Sequence, residues 1–322
     1  MPSEFDLIAR HFTRPSRSAV LGVGDDAALL RPAPGMELAV SADMLVAGTH
    51  FFPDTDPEAL GHKTLAVNLS DMAAMGATPR WALLSLALPN ADEAWLAAFA
   101  RGFLGLAEAN GVELVGGDTT RGPLNLSVTI LGEVEAGRAL RRDAAKPGDD
   151  IWVSGELGGA ALGLRHLRGE ASLDPDAARA CLLRLHRPQP RLALGRALVG
   201  VAHAAIDISD GLLADLGHIL ERSGVGAELH LPAIPAAPAL AGHAGCILDC
   251  ALSGGDDYEL CFTAPSSLRQ AVIKAGTKAG TRLCHIGAIT DTTGLRILAQ
   301  EGRTVDIDMR GYDHFGASRR SP

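Results

Sequence analysis

The chain has 322 residues, of which 47% are hydrophobic and 21% are charged. This balance excludes a globally disordered protein, and the length favours two domains over one. The net charge of −9 disfavours nucleic acid or an anionic membrane surface as the main partner. The amino terminus has no secretory pattern, and no apolar run approaches the ~18 residues of a membrane span. We therefore expect a cytoplasmic protein with no membrane partner.

The five cysteines form no CxxC pair, and no second pair or nearby histidine completes a zinc site. An odd number of thiols in a long chain is typical of a reduced, intracellular protein. The cysteines therefore predict buried or free thiols rather than a disulfide framework.

Hydrophobic periodicity predicts an alternation of helices and strands along the whole chain. In the first half, helices are predicted at 5–12, 57–75 and 93–110, and strands at 38–43, 81–89, 113–115 and 124–134. In the second half, helices are predicted at 159–168, 176–185, 191–202, 212–223 and 266–279, and strands at 151–154, 204–208, 258–263 and 283–290. A Gly-, Pro- and Arg-containing stretch at 137–150 separates the halves. The pattern predicts an α/β (α+β) protein with domains at 1–137 and 138–322.

Six short acidic clusters, nearly all flanked by glycine or serine, are the most informative feature of the chain. They are Gly24-Asp25-Asp26, Ser41-Ala42-Asp43, Asn68-Leu69-Ser70-Asp71, Gly116-Gly117-Asp118-Thr119-Thr120, Asp207-Ile208-Ser209-Asp210-Gly211 and Ser253-Gly254-Gly255-Asp256-Asp257. Each cluster alone is best explained as a turn or a helix cap. Six of them beside apolar runs indicate carboxylates delivered from loops to a common place, where oxygen ligands suit Mg²⁺ bound to substrate phosphates.

Two of these clusters carry more specific information. Asp207 and Asp210 flank Ser209, so two carboxylates and a hydroxyl can converge where a predicted strand meets a predicted helix. Asp71 lies on an otherwise apolar helix, where a buried charge is costly unless it has a cation partner.

Other nucleotide-binding patterns fit less well. The segment 22–27 superficially matches a GxGxxA dinucleotide fingerprint, but its two aspartates would repel a pyrophosphate and no clear strand precedes it. No P-loop, no GxSxG elbow, no zinc HExxH helix and no protein-kinase motif set is found in the sequence.

The motifs resemble those of the thiamine-monophosphate kinase family, which belongs to the group of aminoimidazole ribonucleotide and selenophosphate synthetases. The resemblance covers essentially the whole chain and rests on segments at 24–28, 46–51, 66–77, 116–120, 145–149, 206–212, 253–260 and 311–315. The elements at 68–77 and 207–212 are shared in part across the larger group. The Val46–Phe51 segment and the terminal Gly311–Phe315 segment point to the thiamine-phosphate branch.

The resemblance implies transfer of the γ-phosphoryl group from ATP to thiamine monophosphate, with several Mg²⁺ ions and no obligatory catalytic base. It implies a two-domain synthetase-type fold whose amino-terminal domains pair their sheets in a homodimer. It assigns Mg²⁺ ligands to Asp26, Ser41, Ala42, Asp43, Asp71, Asp118, Asp207 and Asp210. It assigns ATP contacts to Gly117, Asp118, Arg142 and Ser209, and thiamine phosphate contacts to His50, Asp256 and Tyr312. The family usually carries a hydroxyl residue at the position of Ala42, so a ligand there has to be the backbone carbonyl.

Two alternatives remain open from the sequence. A relative that uses ATP on another acceptor, such as a selenophosphate- or purine-type synthetase, would keep most of the aspartates. The presence of His50 and Tyr312, with no reactive cysteine near the amino terminus, argues against it. A non-catalytic nucleotide-binding regulator would have lost some of the acidic clusters, and all are intact here.

Overall fold

The computed structural model describes residues 4–300 and 303–305 of the chain. The chain divides into two compact units, one comprising Met1–Ala139 and His186–Arg196, and the other Leu140–Leu185 and Ala197–Pro322. From the sequence we predicted that 186–196 belongs to the carboxyl-terminal domain. In the structure this segment packs with the first unit. One contact is between the His62 ring nitrogen Nε2 and the carbonyl oxygen of Pro188, which lie 2.9 Å apart. No helix within the described part of the chain is long and apolar enough to cross a membrane.

The first unit is a sheet covered by a pair of long helices. Its elements are α1 (Glu4–Leu7), a π-type turn (Ile8–Phe12), β1 (Met36–Val46), α2 (Pro57–Ala74), β2 (Thr78–Leu88), α3 (Glu93–Ala109), β3 (Glu113–Arg121) and β4 (Asn125–Glu135). The strand order is β1-β4-β2-β3, in which only the β2–β3 pair is parallel. Asp56 caps α2 and Asp92 caps α3 through side-chain oxygens that accept backbone N–H groups.

Helices α2 and α3 approach each other closely because each carries a glycine at the contact. A Cβ atom on Gly61 would lie 2.1 Å from the carbonyl oxygen of Phe99, and one on Gly102 would lie 1.8 Å from that of Glu58. No side chain fits there without separating the backbones. The close contact holds α2 in a fixed position over the sheet, and α2 carries the candidate ligand Asp71.

The second unit is built on a mixed sheet. Its elements are β5 (Asp149–Ser154), α4 (Gly159–Leu167), α5 (Pro175–His186), α6 (Leu192–Leu198), β6 (Ala204–Asp207), α7 (Leu212–Ser223), β7 (Gly226–His230), α8 (Ile247–Ser253), β8 (Leu260–Pro265), α9 (Arg269–Ala279), β9 (Leu283–Thr290), β10 (Gly294–Leu298) and β11 (Thr304–Val305). Most of α6, residues 192–196, belongs to the first unit, and only 197–198 belong to the second. The strand order is β11-β10-β7-β9-β5-β8-β6. Its core includes Ile151, Val153, Ile206, Leu212 and Leu216, all almost fully buried.

The α/β class predicted from the sequence is confirmed, but several element boundaries were wrong. β1 was predicted to be buried and to end at Asp43; it continues to Val46 and one of its faces is exposed. β3 was predicted to stop at Val115, and it continues through the whole 116–120 cluster. Asp43 and Asp118 therefore lie within strands and not in loops. Four short elements, β7, α8, β10 and β11, were missed because too few residues establish a period.

Candidate active site

In the first unit, β1 and α2 bring several predicted ligands together. Ser41 and Asp43 lie on the half-buried face of β1, and the intervening Ala42 is on the exposed face. The Ser41 hydroxyl donates to Asp71 Oδ2 on α2 at 2.5 Å. One helical turn earlier, Asn68 Oδ1 accepts the backbone N–H of Asp43 at 3.2 Å. The structure therefore places Ser41, Asp43 and Asp71 along one contact between a strand and a helix.

Asn68 and Ser127 fix the backbone of β1 at this point. Asn68 is buried, and its Nδ2 donates to the Thr64 carbonyl at 3.1 Å, which sets the orientation of the side-chain amide. On the neighbouring strand β4, the Ser127 hydroxyl donates to the Asp43 carbonyl at 3.1 Å. Both backbone polar groups of Asp43 thus have side-chain partners, so this stretch is ordered from both sides.

Asp26 lies in an exposed loop that is attached to the body of the unit through Glu113. The Glu113 carboxylate accepts the Ser16 hydroxyl at 2.9 Å and the backbone N–H groups of residues 17, 18 and 19. Burial alone would raise the pKa of Glu113, but these donors together hold it below its usual value. The Asp26 N–H itself donates to the neighbouring Asp25 Oδ1 at 2.9 Å.

Gly117 and Asp118 lie on β3, next to β2. Gly117 has φ +147°, and a Cβ there would lie 1.8 Å from the carbonyl oxygen of Leu84. Glycine is therefore required by the backbone at this position, whatever ligand approaches it. Asp118 pairs in register with Ser85 and is exposed.

His50 lies in a tight turn that follows β1. Gly48 has φ +81°, and its N–H donates to the Phe51 carbonyl at 2.8 Å. The backbone N–H of Val46 donates to His50 Nδ1 at 3.0 Å. Nδ1 therefore acts as an acceptor, and in the neutral ring the proton is on Nε2.

In the second unit, two loops that carry acidic clusters are joined by backbone hydrogen bonds. The 207–211 loop follows β6, and the 253–259 segment leads into β8. The Asp256 N–H donates to the Ser209 carbonyl at 2.9 Å, and the Tyr258 N–H donates to the Ile208 carbonyl at 2.8 Å. Asp207 is buried, and Ser209, Asp210 and Asp256 are half-buried. The structure thus places Asp207, Ser209, Asp210 and Asp256 in one neighbourhood.

The 253–259 segment contains strained residues that the sequence did not reveal. Asp256 and Tyr258 have φ values of +68° and +50°, in the left-handed region that non-glycine residues rarely adopt. The Tyr258 hydroxyl donates to Asp256 Oδ1 at 3.1 Å. Such strain persists only where the surrounding structure enforces it, and it is concentrated at functional sites.

Two further carboxylates of this unit, Asp257 and Asp215, were not among the predicted site residues, although Asp257 belongs to the sixth acidic cluster. Both oxygens of Asp257 accept the Gly158 N–H, at 3.0 and 2.8 Å, and burial raises the pKa of Asp257 well above its usual value. Asp215 on α7 is only 3% exposed. Burial, followed by repulsion from Asp207, raises the pKa of Asp215 to about 7. The sequence signal for Asp215 was its place on the buried face of an amphipathic helix, where a carboxylate needs a partner.

Two candidates remain, Arg142 and Tyr312. Arg142 is exposed, and its carbonyl accepts the Ser223 hydroxyl at 2.9 Å. Tyr312 lies outside the described residues.

The candidate ligands fit magnesium by their chemistry. Their side-chain donors are carboxylate and hydroxyl oxygens, with no histidine or cysteine among them, which suits a hard cation. Over residues 4–300 and 303–305, no group of three or more His, Cys, Asp or Glu side chains is arranged to hold a metal. Magnesium commonly keeps several waters and takes one or two carboxylates together with substrate phosphates, so it does not require a complete protein cage.

Comparison with known proteins identifies the family of this chain. Residues 24–134 match the family model "AIR synthase related protein, N-terminal domain", and residues 146–300 match "AIR synthase related protein, C-terminal domain". The thiamine-monophosphate kinase of Escherichia coli (strain K12) is 47% identical over 97% of this chain and 98% of its own length.

Two solved structures are similar over most of both chains. The thiamine-monophosphate kinase of Stenotrophomonas maltophilia K279a is 49% identical, with a TM-score of 0.84, and the match covers 93% of this chain and 95% of that one. AaThiL complexed with AMPPCP and TMP is 32% identical, with a TM-score of 0.78, and the match covers 88% of this chain and 89% of that one. By family models, by sequence over nearly the full length and by fold, this chain belongs to the thiamine-monophosphate kinase family.

Proposed function

We propose that this protein transfers the γ-phosphoryl group of ATP to thiamine monophosphate, giving thiamine diphosphate and ADP. The observation that carries the proposal is the 47% identity to a thiamine-monophosphate kinase over 97% of the chain. The complex of AaThiL with AMPPCP, an ATP analogue, and TMP supports both substrates. The cytoplasmic location predicted from the sequence is part of the same proposal.

The reaction requires little help from a general base. The attacking group is a phosphate oxygen of the acceptor, which is already anionic near neutral pH. The barrier lies in bringing two anions together and in spreading charge over the transferred group. Positioning and charge neutralisation therefore supply the catalysis, and acid–base chemistry contributes little. This agrees with a candidate site rich in metal-type ligands, for which we assign no catalytic base.

Magnesium ions, when bound, would neutralise the phosphates of both substrates and align them for in-line attack. Residues proposed to hold them are Asp26, Ser41, Ala42 through its carbonyl, Asp43, Asp71, Asp118, Asp207 and Asp210. The hydrogen bond from Ser41 to Asp71 supports this assignment, because it holds two candidate ligand oxygens, one hydroxyl and one carboxylate, next to each other. The anchoring of Asp43 by Asn68 and Ser127 acts in the same way.

The nucleotide and the acceptor are proposed to contact different residues. Gly117, Asp118, Arg142 and Ser209 are assigned to ATP, and His50, Asp256 and Tyr312 to thiamine monophosphate. The position of the proton on His50 supports its role, since an Nε2–H can donate to a phosphate oxygen of the acceptor. A ring at position 312 would stack on the thiamine heterocycle.

We also propose a homodimer formed through the sheet of the first unit. The outer face of β1 exposes Leu38, Val40 and Met44, with 42%, 60% and 53% of each residue accessible. Val40 pairs in register with Leu131 of β4, so the apolar strip continues onto the next strand. Covering such a strip stabilises an assembly by about 25 cal/mol per Å² of apolar surface removed from water. Light scattering at micromolar concentration should give twice the chain mass, and Val40→Arg should give the monomer mass; a monomeric wild type would contradict the dimer.

A coupled assay of ADP release tests the activity. With Mg-ATP, thiamine monophosphate should support turnover, whereas thiamine, aminoimidazole-type ribonucleotides and selenide should not. Turnover with one of the other acceptors and none with thiamine monophosphate would favour the synthetase alternative. ATP binding by calorimetry without turnover on any acceptor would favour a non-catalytic regulator.

A further inference from the structure

The 207–211 loop has an internal anchor that none of the candidate ligand assignments includes. This loop joins β6 to α7, and Gly211 is the residue that precedes the first turn of α7. The first N–H groups of a helix and of the loop before it lack partners inside the helix. The N-cap position of α7 supplies no side-chain hydrogen bond. Another group must therefore satisfy these donors.

That group is the carboxylate of Asp215, one turn into α7. Its Oδ2 atom accepts the backbone N–H of Ser209 at 3.0 Å, of Asp210 at 3.0 Å and of Gly211 at 3.1 Å. The arrangement resembles a capping box, in which a carboxylate of the first turn reaches back to the residue before the helix. Here a single oxygen collects three successive donors.

The opposite side of the same loop is held by the 253–259 segment. The Asp256 and Tyr258 N–H groups donate to the Ser209 and Ile208 carbonyls, and the Ile208 N–H donates to the Glu259 carbonyl. A Cβ on Gly211 would lie 2.7 Å from the Ser253 carbonyl carbon, so the two segments are also in close contact. The N–H groups on one side are thus fixed by Asp215, and the carbonyls on the other side by a neighbouring loop.

We infer that Asp215 is a positioning residue, which sets the backbone of Ser209 and Asp210 so that their side chains are in place for Mg-ATP. Its Oδ2 accepts three N–H groups of the loop and the residue is 3% exposed, so the role that these contacts support is one exerted through the loop. The role assigned to the loop rests on the proposed function; the anchoring of the loop does not.

The experiment compares two substitutions of nearly the same size. Asp215→Leu removes the acceptor, whereas Asp215→Asn keeps a carbonyl oxygen that can accept the same N–H groups more weakly. Leu216→Ala is the matched control, since it perturbs the fully buried neighbour on α7 without touching the acceptor. The first measurement is amide hydrogen exchange of residues 209–211 in the enzyme without substrates. We expect these amides to be protected in the wild type and to exchange roughly tenfold or more faster in Asp215→Leu, because one hydrogen bond to a charged group is worth at least that factor.

Asp215→Asn should give an intermediate rate, and Leu216→Ala should leave these three amides close to wild type. Unprotected amides in the wild type, or equal exchange in the Asn and Leu variants, would overturn the anchoring. If the Leu variant does not fold, the Asn variant must still exchange faster than Leu216→Ala at these positions, and failure to do so also overturns it.

The second measurement is steady-state kinetics on the same variants. Asp215→Asn should raise the Mg²⁺ concentration for half-maximal rate and the KM for ATP several-fold, with the KM for thiamine monophosphate changed less than about twofold. An equal rise in the KM values for ATP and thiamine monophosphate would show a merely structural role if Leu216→Ala, with the same loss of Tm, gave the same rises. If the wild type has no activity on thiamine monophosphate, the proposed function fails, while the exchange result still decides whether Asp215 anchors the loop.

Discussion

Substitution of Asp71 by Asn separates the proposed metal-binding role of this residue from its structural role. In the structure, Asp71 accepts the Ser41 hydroxyl at 2.5 Å. An asparagine carbonyl can accept the same bond, so the variant loses charge but not the partner. Hydrogen bonds to charged groups contribute about 1.5–3 kcal/mol and neutral ones about 0.5–1.5 kcal/mol. We therefore expect a loss of roughly 1 kcal/mol in unfolding free energy, which corresponds to about 2–4 °C in Tm for a domain of this size.

The effect on turnover should be far larger. Losing one carboxylate ligand at a site that works by charge neutralisation should lower kcat by at least about a hundredfold, or ~2.7 kcal/mol in activation free energy. Thermal denaturation gives the first quantity and the ADP-release assay at saturating Mg²⁺ gives the second. Ser41→Ala is a useful companion, because it removes the donor and leaves the charge of Asp71 in place. A near wild-type rate for Asp71→Asn at saturating Mg²⁺ would refute the ligand assignment. A large fall in the Tm of this variant would show that Asp71 has a structural role instead.

Three further predictions follow from other parts of the chain. Gly117→Ala should be severely destabilised or inactive, since its φ of +147° and a Cβ 1.8 Å from the Leu84 carbonyl oxygen both exclude a side chain; a soluble, active variant with unchanged Tm would contradict this. The Arg269 guanidinium holds the pKa of Asp150 below its usual value, so the pair stabilises the fold above the unfolded carboxyl pKa and loses that contribution as pH falls through the lower, folded value. Arg269→Gln should accordingly lower Tm at pH 7 and have little effect near pH 2, and a difference independent of pH would argue against the pairing. Tyr312→Ala should raise the KM for thiamine monophosphate several-fold and leave the KM for ATP unchanged, because it removes a stacking contribution of about 0.5–1.5 kcal/mol. An equal rise in both KM values would show that the tail is structural.

The long elements of the fold could be predicted from the sequence, because their periods extend over several turns. Helix α2 begins at Pro57, where it was predicted to begin, and α7 has the predicted bounds of 212–223. Short elements such as β7 and α8 could not be predicted, since five to seven residues carry too little periodicity. The packing of 186–196 with the first unit depends on tertiary contacts, which no local sequence pattern predicts.

The candidate residues come from the sequence, whereas the contacts among them come from the fold. The pairing of Ser41 with Asp71 joins residues 30 positions apart, and only the fold brings them together. Asp215 escaped notice because it stands alone on an amphipathic helix, without the glycine or serine that marked the other acidic residues. Its three backbone partners depend on the path of the preceding loop, which the sequence does not specify.

The most direct test of the proposed activity follows the labelled phosphoryl group. With ATP labelled in the γ-phosphate, Mg²⁺ and thiamine monophosphate, we expect thiamine diphosphate labelled only in its terminal phosphate, with one ADP formed for each product molecule. Formation of AMP, label in any other product, or release of labelled phosphate independent of thiamine monophosphate would contradict direct phosphoryl transfer to this acceptor.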